Sequence, residues 1–179
     1  DDASAYYAQA LEEAEQCNDL YAQIVATMSL CQCDLRKGEL VGLEDRIEAA
    51  TQSFSDLGAQ PGVSNGKMLL GILHLHLNDA GAAARYLLEA LEFPDGHWSQ
   101  STKYWILQIV AGLCKDLETK ARLVATASQH YEEATGVQPV WIIDEINSLQ
   151  SELAAAELKA KPFRSVDEAI SVARGILQA

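Results

Sequence analysis

Asn78-Asp-Ala-Gly-Ala-Ala-Ala-Arg-Tyr-Leu-Leu-Glu-Ala-Leu91 is the stretch whose reading decides the fold. Asn-Asp is a tight break in an apolar run. Beyond it Ala83, Leu87 and Ala90 return at helical spacing. The same grammar stands earlier in the chain, where Gly38-Glu39 precedes Leu43, Ile47 and Ala50. A third, weaker copy has Lys115-Asp116 before Lys120, Val124 and Ala127, with Lys120 a misfit at the core position. A fourth is a half copy: Ala3, Tyr7 and Ala10. The spacings between the four alanines, Ala10, Ala50, Ala90 and Ala127, are therefore 40, 40 and 37. A period in this range is the signature of stacked helical hairpins, in which each unit buries its apolar face only against its neighbours.

Working outward, nine helices are expected: over about 3–16, 20–37, 41–57, 67–77, 80–92, 99–115, 117–135, 139–160 and from Val166 to about Gln178. Asp19 and Asp116 are placed as N-caps, Gly38, Gly58 and Gly136 as C-terminal stops, and Ser165-Val-Asp-Glu168 is a capping box. Gly58-Ala-Gln-Pro-Gly62 followed by Asn65-Gly66 reads as a turn-rich connection. No segment alternates with a period of two. The expected fold is all-α, a single domain over 1–179: a half repeat at 1–18, repeats at 19–58, 59–96 and 97–136, and capping helices over 137–179. The half repeat lacks a first helix, so the chain is expected to be a fragment, or its first helix to pack on something outside it.

Composition bounds the function. The formal net charge is −13, which repels a phosphate backbone and an anionic membrane surface. No apolar run reaches the roughly 20 residues of a membrane span, and no signal peptide opens the chain. Cys17, Cys31, Cys33 and Cys114 match no zinc spacing and read as free thiols of a reducing compartment, so a cytoplasmic location is expected. His74 and His76 diverge around a helix and cannot share a metal. Glu12-Glu13, Glu132-Glu133 and Asp144-Glu145 sit on solvated faces, with nothing to split their pKa values for acid–base work. A non-enzymatic protein without metal or cofactor is expected.

Leu30, Leu70 and Leu107, each followed by Cys31, Gly71 or Gln108, then a turn and two spaced alanines, resemble the tetratricopeptide family in a long-repeat form. Further on, Lys120-Ala-Arg-Leu-Val-Ala-Thr-Ala-Ser-Gln-His-Tyr-Glu-Glu-Ala-Thr-Gly136, then Pro139, then Ser165-Val-Asp-Glu-Ala-Ile170 is similar to the C-terminal sensor region of bacterial signalling ATPases and LuxR-type regulators related to the maltose-operon activator. The resemblance implies a right-handed superhelix of antiparallel hairpins that senses an effector or partner within a larger regulator. Neither a nucleotide-binding loop nor a basic helix-turn-helix is in the chain. By the same resemblance the first helix of each hairpin lines a concave surface. Its candidate binding residues are Gln32, Arg36, Asn65, Met68, His76, Thr102 and Trp105. The expected partner is another protein or a neighbouring domain of the same polypeptide, with a small-molecule effector as a further candidate. The alternatives are a homodimer joined along an apolar seam, and a small-ligand receptor with a pocket between hairpins. The 139–160 helix is a candidate to fill the groove from within.

Overall fold

The computed structural model describes residues 2–92, 97–135, 151, 153 and 160–179, and every regular element among them is helical. The chain divides into two compact units, Asp1–Phe93 and Pro94–Ala179. The first holds α1 (Asp2–Gln16), α2 (Leu20–Lys37), α3 (Leu43–Asp56), α4 (Gln60–His76) and α5 (Ala80–Leu91). The second holds α6 (His97–Leu113), α7 (Leu117–Thr135) and α8 (Val166–Leu177). No described helix is long and apolar enough to cross a membrane. The helix expected over 139–160, its Pro139 entry and the Gly136 stop lie outside the described residues, apart from Ser151, Leu153 and Ala160.

In the first unit each helix packs on the next, and α2 also touches α4. The fold-backs are regular. Asn18, Gly38, Gly58 and Asn78 all take the left-handed conformation, with φ between 54° and 74°. At each, the following amide donates to the carbonyl five residues back: Asp19 to Ala14, Glu39 to Asp34, Ala59 to Phe54 and Asp79 to His74, at 2.8–2.9 Å. The turn residue itself donates three back, to Glu15, Leu35, Ser55 and Leu75. These are four Schellman closures, which satisfy the last carbonyls of a helix. They are evenly spaced, at positions 18, 38, 58 and 78, so each sequence repeat is built from two backbone halves that end alike. Asp19 and Asp79 then cap the next helix, accepting from the amides of Ala22 (3.0 Å) and Ala82 (2.9 Å).

The repeat positions form the core. Leu43 and Ala83, Ile47 and Leu87, Ala50 and Ala90 are all buried. Burial of each large side chain is worth about 1.5–3 kcal/mol. On α1 the equivalent positions are more open: Ala3 is exposed, and Tyr7 and Ala10 are half-buried.

One expectation fails at α4. The stretch read as a connection, 58–66, is helical from Gln60 onward. Pro61 falls in the first turn, where a missing N–H costs nothing. The glycines serve packing, not turning. A Cβ on Gly62 would strike the Phe54 ring, and one on Gly66 would strike Thr51 Oγ1 and lie 3.2 Å from Met28 Cε. A Cβ on Gly71 would stand 2.7 Å from Leu87 Cγ. Ser64, fully buried on the same helix, donates to the carbonyl of Ala90 at 3.0 Å.

In the second unit α6 packs on α7, and α8 rests against both. Asp116 accepts from the amide of Thr119 at 2.9 Å, as its capping role requires. The hydroxyl of buried Thr126 donates to the Arg122 carbonyl and accepts from the Phe163 amide, both at 2.8 Å. The Arg122 guanidinium lies 3.9 Å from the centre of the Phe163 ring. Ser165 accepts from the Glu168 amide at 3.2 Å, while Glu168 reaches back to the Arg164 amide at 2.9 Å. Lys120, the misfit, is buried at its repeat position.

Two glycine substitutions separate backbone conformation from packing. Gly58 has φ of 68° and open space where a Cβ would go, so Gly58→Ala costs about 1 kcal/mol through backbone strain alone. Gly112 lies within α6, also with open space, so Gly112→Ala gains about 0.5–1 kcal/mol. Urea unfolding monitored by circular dichroism reads both, and the signs are opposite.

Candidate functional site

The repeat register places four residues of α2 in line with four of α4: Tyr21 with Pro61, Val25 with Asn65, Gln32 with Ile72, and Arg36 with His76. At 100° per residue each set spans about 60° of its helix. Tyr21 is 56% exposed and Val25 40%. Arg36 and His76 are exposed, while Gln32, Pro61, Asn65 and Ile72 are half-buried. Tyr21 leans edge-on against Phe54, with ring centroids 6.0 Å apart. Since α2 touches α4, the two sets form one candidate interface.

Four of the expected binding residues, Gln32, Arg36, Asn65 and His76, are on this face. Met68 is not: it is fully buried, as is its counterpart Met28 at 2% exposure. By angle both lie about 20° beyond the Tyr21 and Pro61 edge of the stripe, on the side drawn into the seam, where Met28 Cε stands 3.2 Å from a Cβ built on Gly66. Thr102 and Trp105 belong to α6 in the second unit, where Thr102 is buried and Trp105 half-buried.

Charge is sorted between the helices. Over α2 and α4 the chain carries Arg36, Lys37, Lys67, His74 and His76 against one carboxylate, Asp34, which pairs with Arg46 of α3. In contrast, α1 and α3 carry Glu12, Glu13, Glu15, Glu44, Asp45, Glu48 and Asp56. In a chain of net charge −13 the α2–α4 face is therefore relatively poor in carboxylates.

A second cluster escaped sequence reasoning. His74 of α4 stacks on Tyr86 of α5, with centroids 5.3 Å apart. Its Nε2 is 3.0 Å from Glu44 Oε1 and its Nδ1 3.8 Å from Asp79 Oδ2. The Tyr86 hydroxyl donates to Glu48 Oε1 at 3.2 Å. Over the tyrosine ring stand the Arg85 guanidinium at 4.1 Å and Lys67 Nζ at 5.2 Å. Both cations also reach Glu89, at 3.4 and 2.7 Å. The repeat held the missed signal: His74 and Tyr86 occupy the repeat positions of Asp34 and Arg46, the ion pair that joins α2 to α3. The same two positions lock each helix pair with different chemistry. Among the described residues no cluster of three or more His, Cys, Asp or Glu has the geometry to hold a metal.

All four cysteines are free thiols; Cys17 is exposed, Cys33 half-buried, and Cys31 and Cys114 buried. Burial pushes the Cys31 thiol up, against a smaller opposing pull from Arg46. A raised thiol favours the folded state below the ordinary value of 9.0, and that advantage fades as pH rises beyond it. Comparison of the chain with protein-family profiles, curated proteins and solved structures finds no match.

The stability margin of the parent over Cys31→Ala, read from urea midpoints, accordingly shrinks between about pH 8 and pH 10, since the unfolded thiol ionises first. A thiol reagent labels Cys17 at once and Cys31 only on unfolding.

Proposed function

We propose that the protein is a tetratricopeptide-like interaction module that works by binding, with the α2–α4 face as its docking surface. The observation that carries this reading is the repeated stripe, in which the exposed or half-buried positions of α2 are again half-buried or exposed on α4 one repeat later. A superhelix of stacked hairpins accounts for that recurrence. The contact of α2 with α4 supports it, because alternate helices meet when hairpins stack. Apolar groups at one end (Tyr21, Val25) and basic side chains at the other (Arg36, His76) suit a protein segment with an apolar anchor followed by carboxylates. The role within a larger regulator is proposed on the resemblance of 120–136 and 165–170 to sensor regions, with a neighbouring domain as the partner.

Peptides selected from a displayed library against the whole chain test this reading. Val25→Glu and Arg36→Glu are each expected to weaken a selected peptide at least about tenfold, the cost of a lost anchor or charge pair. Because both residues are exposed, the thermal midpoint should move by less than about 2 °C. Selected peptides that ignore both substitutions contradict the proposal.

A further inference from the structure

We infer that the occupant of the α2–α4 face is an amphipathic α-helix of a partner protein, apolar at one end and acidic at the other, and not an extended segment. This assignment rests on the α2–α4 face being the docking surface and names what that surface holds.

The stripe is helix surface throughout. α2 and α4 run the same way, because each turn between them reverses the chain. Their own amides and carbonyls are used in intrahelical bonds. An extended segment brings an unpaired N–H and C=O at every residue, and it is held mainly where a sheet edge or a row of polar side chains pairs them. With Arg36 and His76 assigned to carboxylates, the stripe offers such a backbone Gln32, Asn65 and the Tyr21 hydroxyl. The other positions, Val25, Pro61 and Ile72, are apolar. A peptide group pressed onto them loses its water without gaining a partner, at a cost of about 1–3 kcal/mol. A helix bonds its own backbone and presents only side chains.

Spacing points the same way. Positions 21, 25, 32 and 36 follow one another at intervals of 4, 7 and 4, and positions 61, 65, 72 and 76 repeat those intervals. Helices interleave their side chains at intervals of this kind. Tyr21 and Arg36 are 15 residues apart, which is about 22 Å along the helix. The docked helix therefore runs for about four turns. It carries apolar side chains opposite Tyr21, Val25 and Pro61, and carboxylates about 15 residues on, beside Arg36 and His76. No stripe position holds a carboxylate that would oppose them. An extended segment would cover the same distance in about seven residues.

Two fluorescein-labelled alanine-based peptides separate these occupants, titrated into the full chain and read by anisotropy at low salt. Each has two leucines one helical turn apart, followed by two glutamates. In the first peptide the leucines and glutamates are about 15 residues apart, the helical span of the face. In the second they are about seven apart, the extended span. The first is expected to bind at least about tenfold tighter than the second, to gain helical circular dichroism on binding, and to weaken at least about tenfold when a proline interrupts it midway. Val25→Glu and Arg36→Glu should each weaken it about fivefold or more. If the second peptide binds as tightly as the first, or the proline leaves binding unchanged, the helical occupant is overturned; the face survives where binding still responds to Val25→Glu and Arg36→Glu. No binding of either peptide overturns the helix of this pattern, while binding indifferent to both substitutions overturns the face as well. A dimer of the chain, seen by sedimentation and abolished by Val25→Glu, also overturns the inference, because a second copy is then the occupant.

Discussion

Close approach to α4 is the constraint on which the first unit depends. Three helices press side chains into positions where α4 has no side chain of its own: Phe54 at Gly62, Thr51 and Met28 at Gly66, Leu87 at Gly71. The arrangement puts α4 in contact with α2, α3 and α5 at once. Glycine in a helix interior costs about 1 kcal/mol against alanine. Here that cost is offset by the burial it permits: Met28, Met68, Leu69, Leu70 and Leu87 are all at most 2% exposed. The interior is packed to solid density, so even one added methyl must be accommodated by movement elsewhere.

Around that apolar contact two helix pairs are joined at one repeat position by different chemistry. Asp34 with Arg46 is an ion pair, and His74 with Tyr86 a stacked pair framed by Glu44, Asp79 and Glu48. In the second unit the corresponding residues, Ala111 and Leu123, are both fully buried. An exposed ion pair contributes little to stability, about 0–1 kcal/mol. Its use is orientation: each pair fixes how far one helix is rotated on the next. That rotation places Arg36 and His76 toward solvent while Met28 and Met68 turn inward.

Much of this was legible in the sequence. The alanine register identified Ile47, Leu87, Val124 and their neighbours as core, and Asp19, Asp116 and Ser165 as caps, because helical spacing and capping are local rules. The start of α4 was not legible. Glycine and proline between helices ordinarily mark a turn, and only the facing side chains of Phe54 and Thr51 show that here they mark contact. Met68, expected among the binding residues, is buried: by angle it lies just past the edge of the stripe, and how deep such a residue sits depends on how closely the neighbouring helix approaches. The shorter backbone period was hidden because its turns are made by both asparagine and glycine. The left-handed conformation returns at every turn from Asn18 to Asn78, while the side chains around it return only at every second one. Of the candidate face, the polar edge could be read from position alone, but the pairing of His74 with Tyr86 needed the structure.

The most direct measurement is a double-mutant cycle at Gly66 and Thr51, read by urea unfolding. Gly66→Ala drives a methyl into Thr51 Oγ1 and should cost about 1–3 kcal/mol. Thr51→Ala removes the obstructing hydroxyl and methyl, so the double variant should be at least about 1 kcal/mol more stable than Gly66→Ala alone. If the two losses simply add, α4 is not held by close approach at Gly66, and the account of the first unit fails.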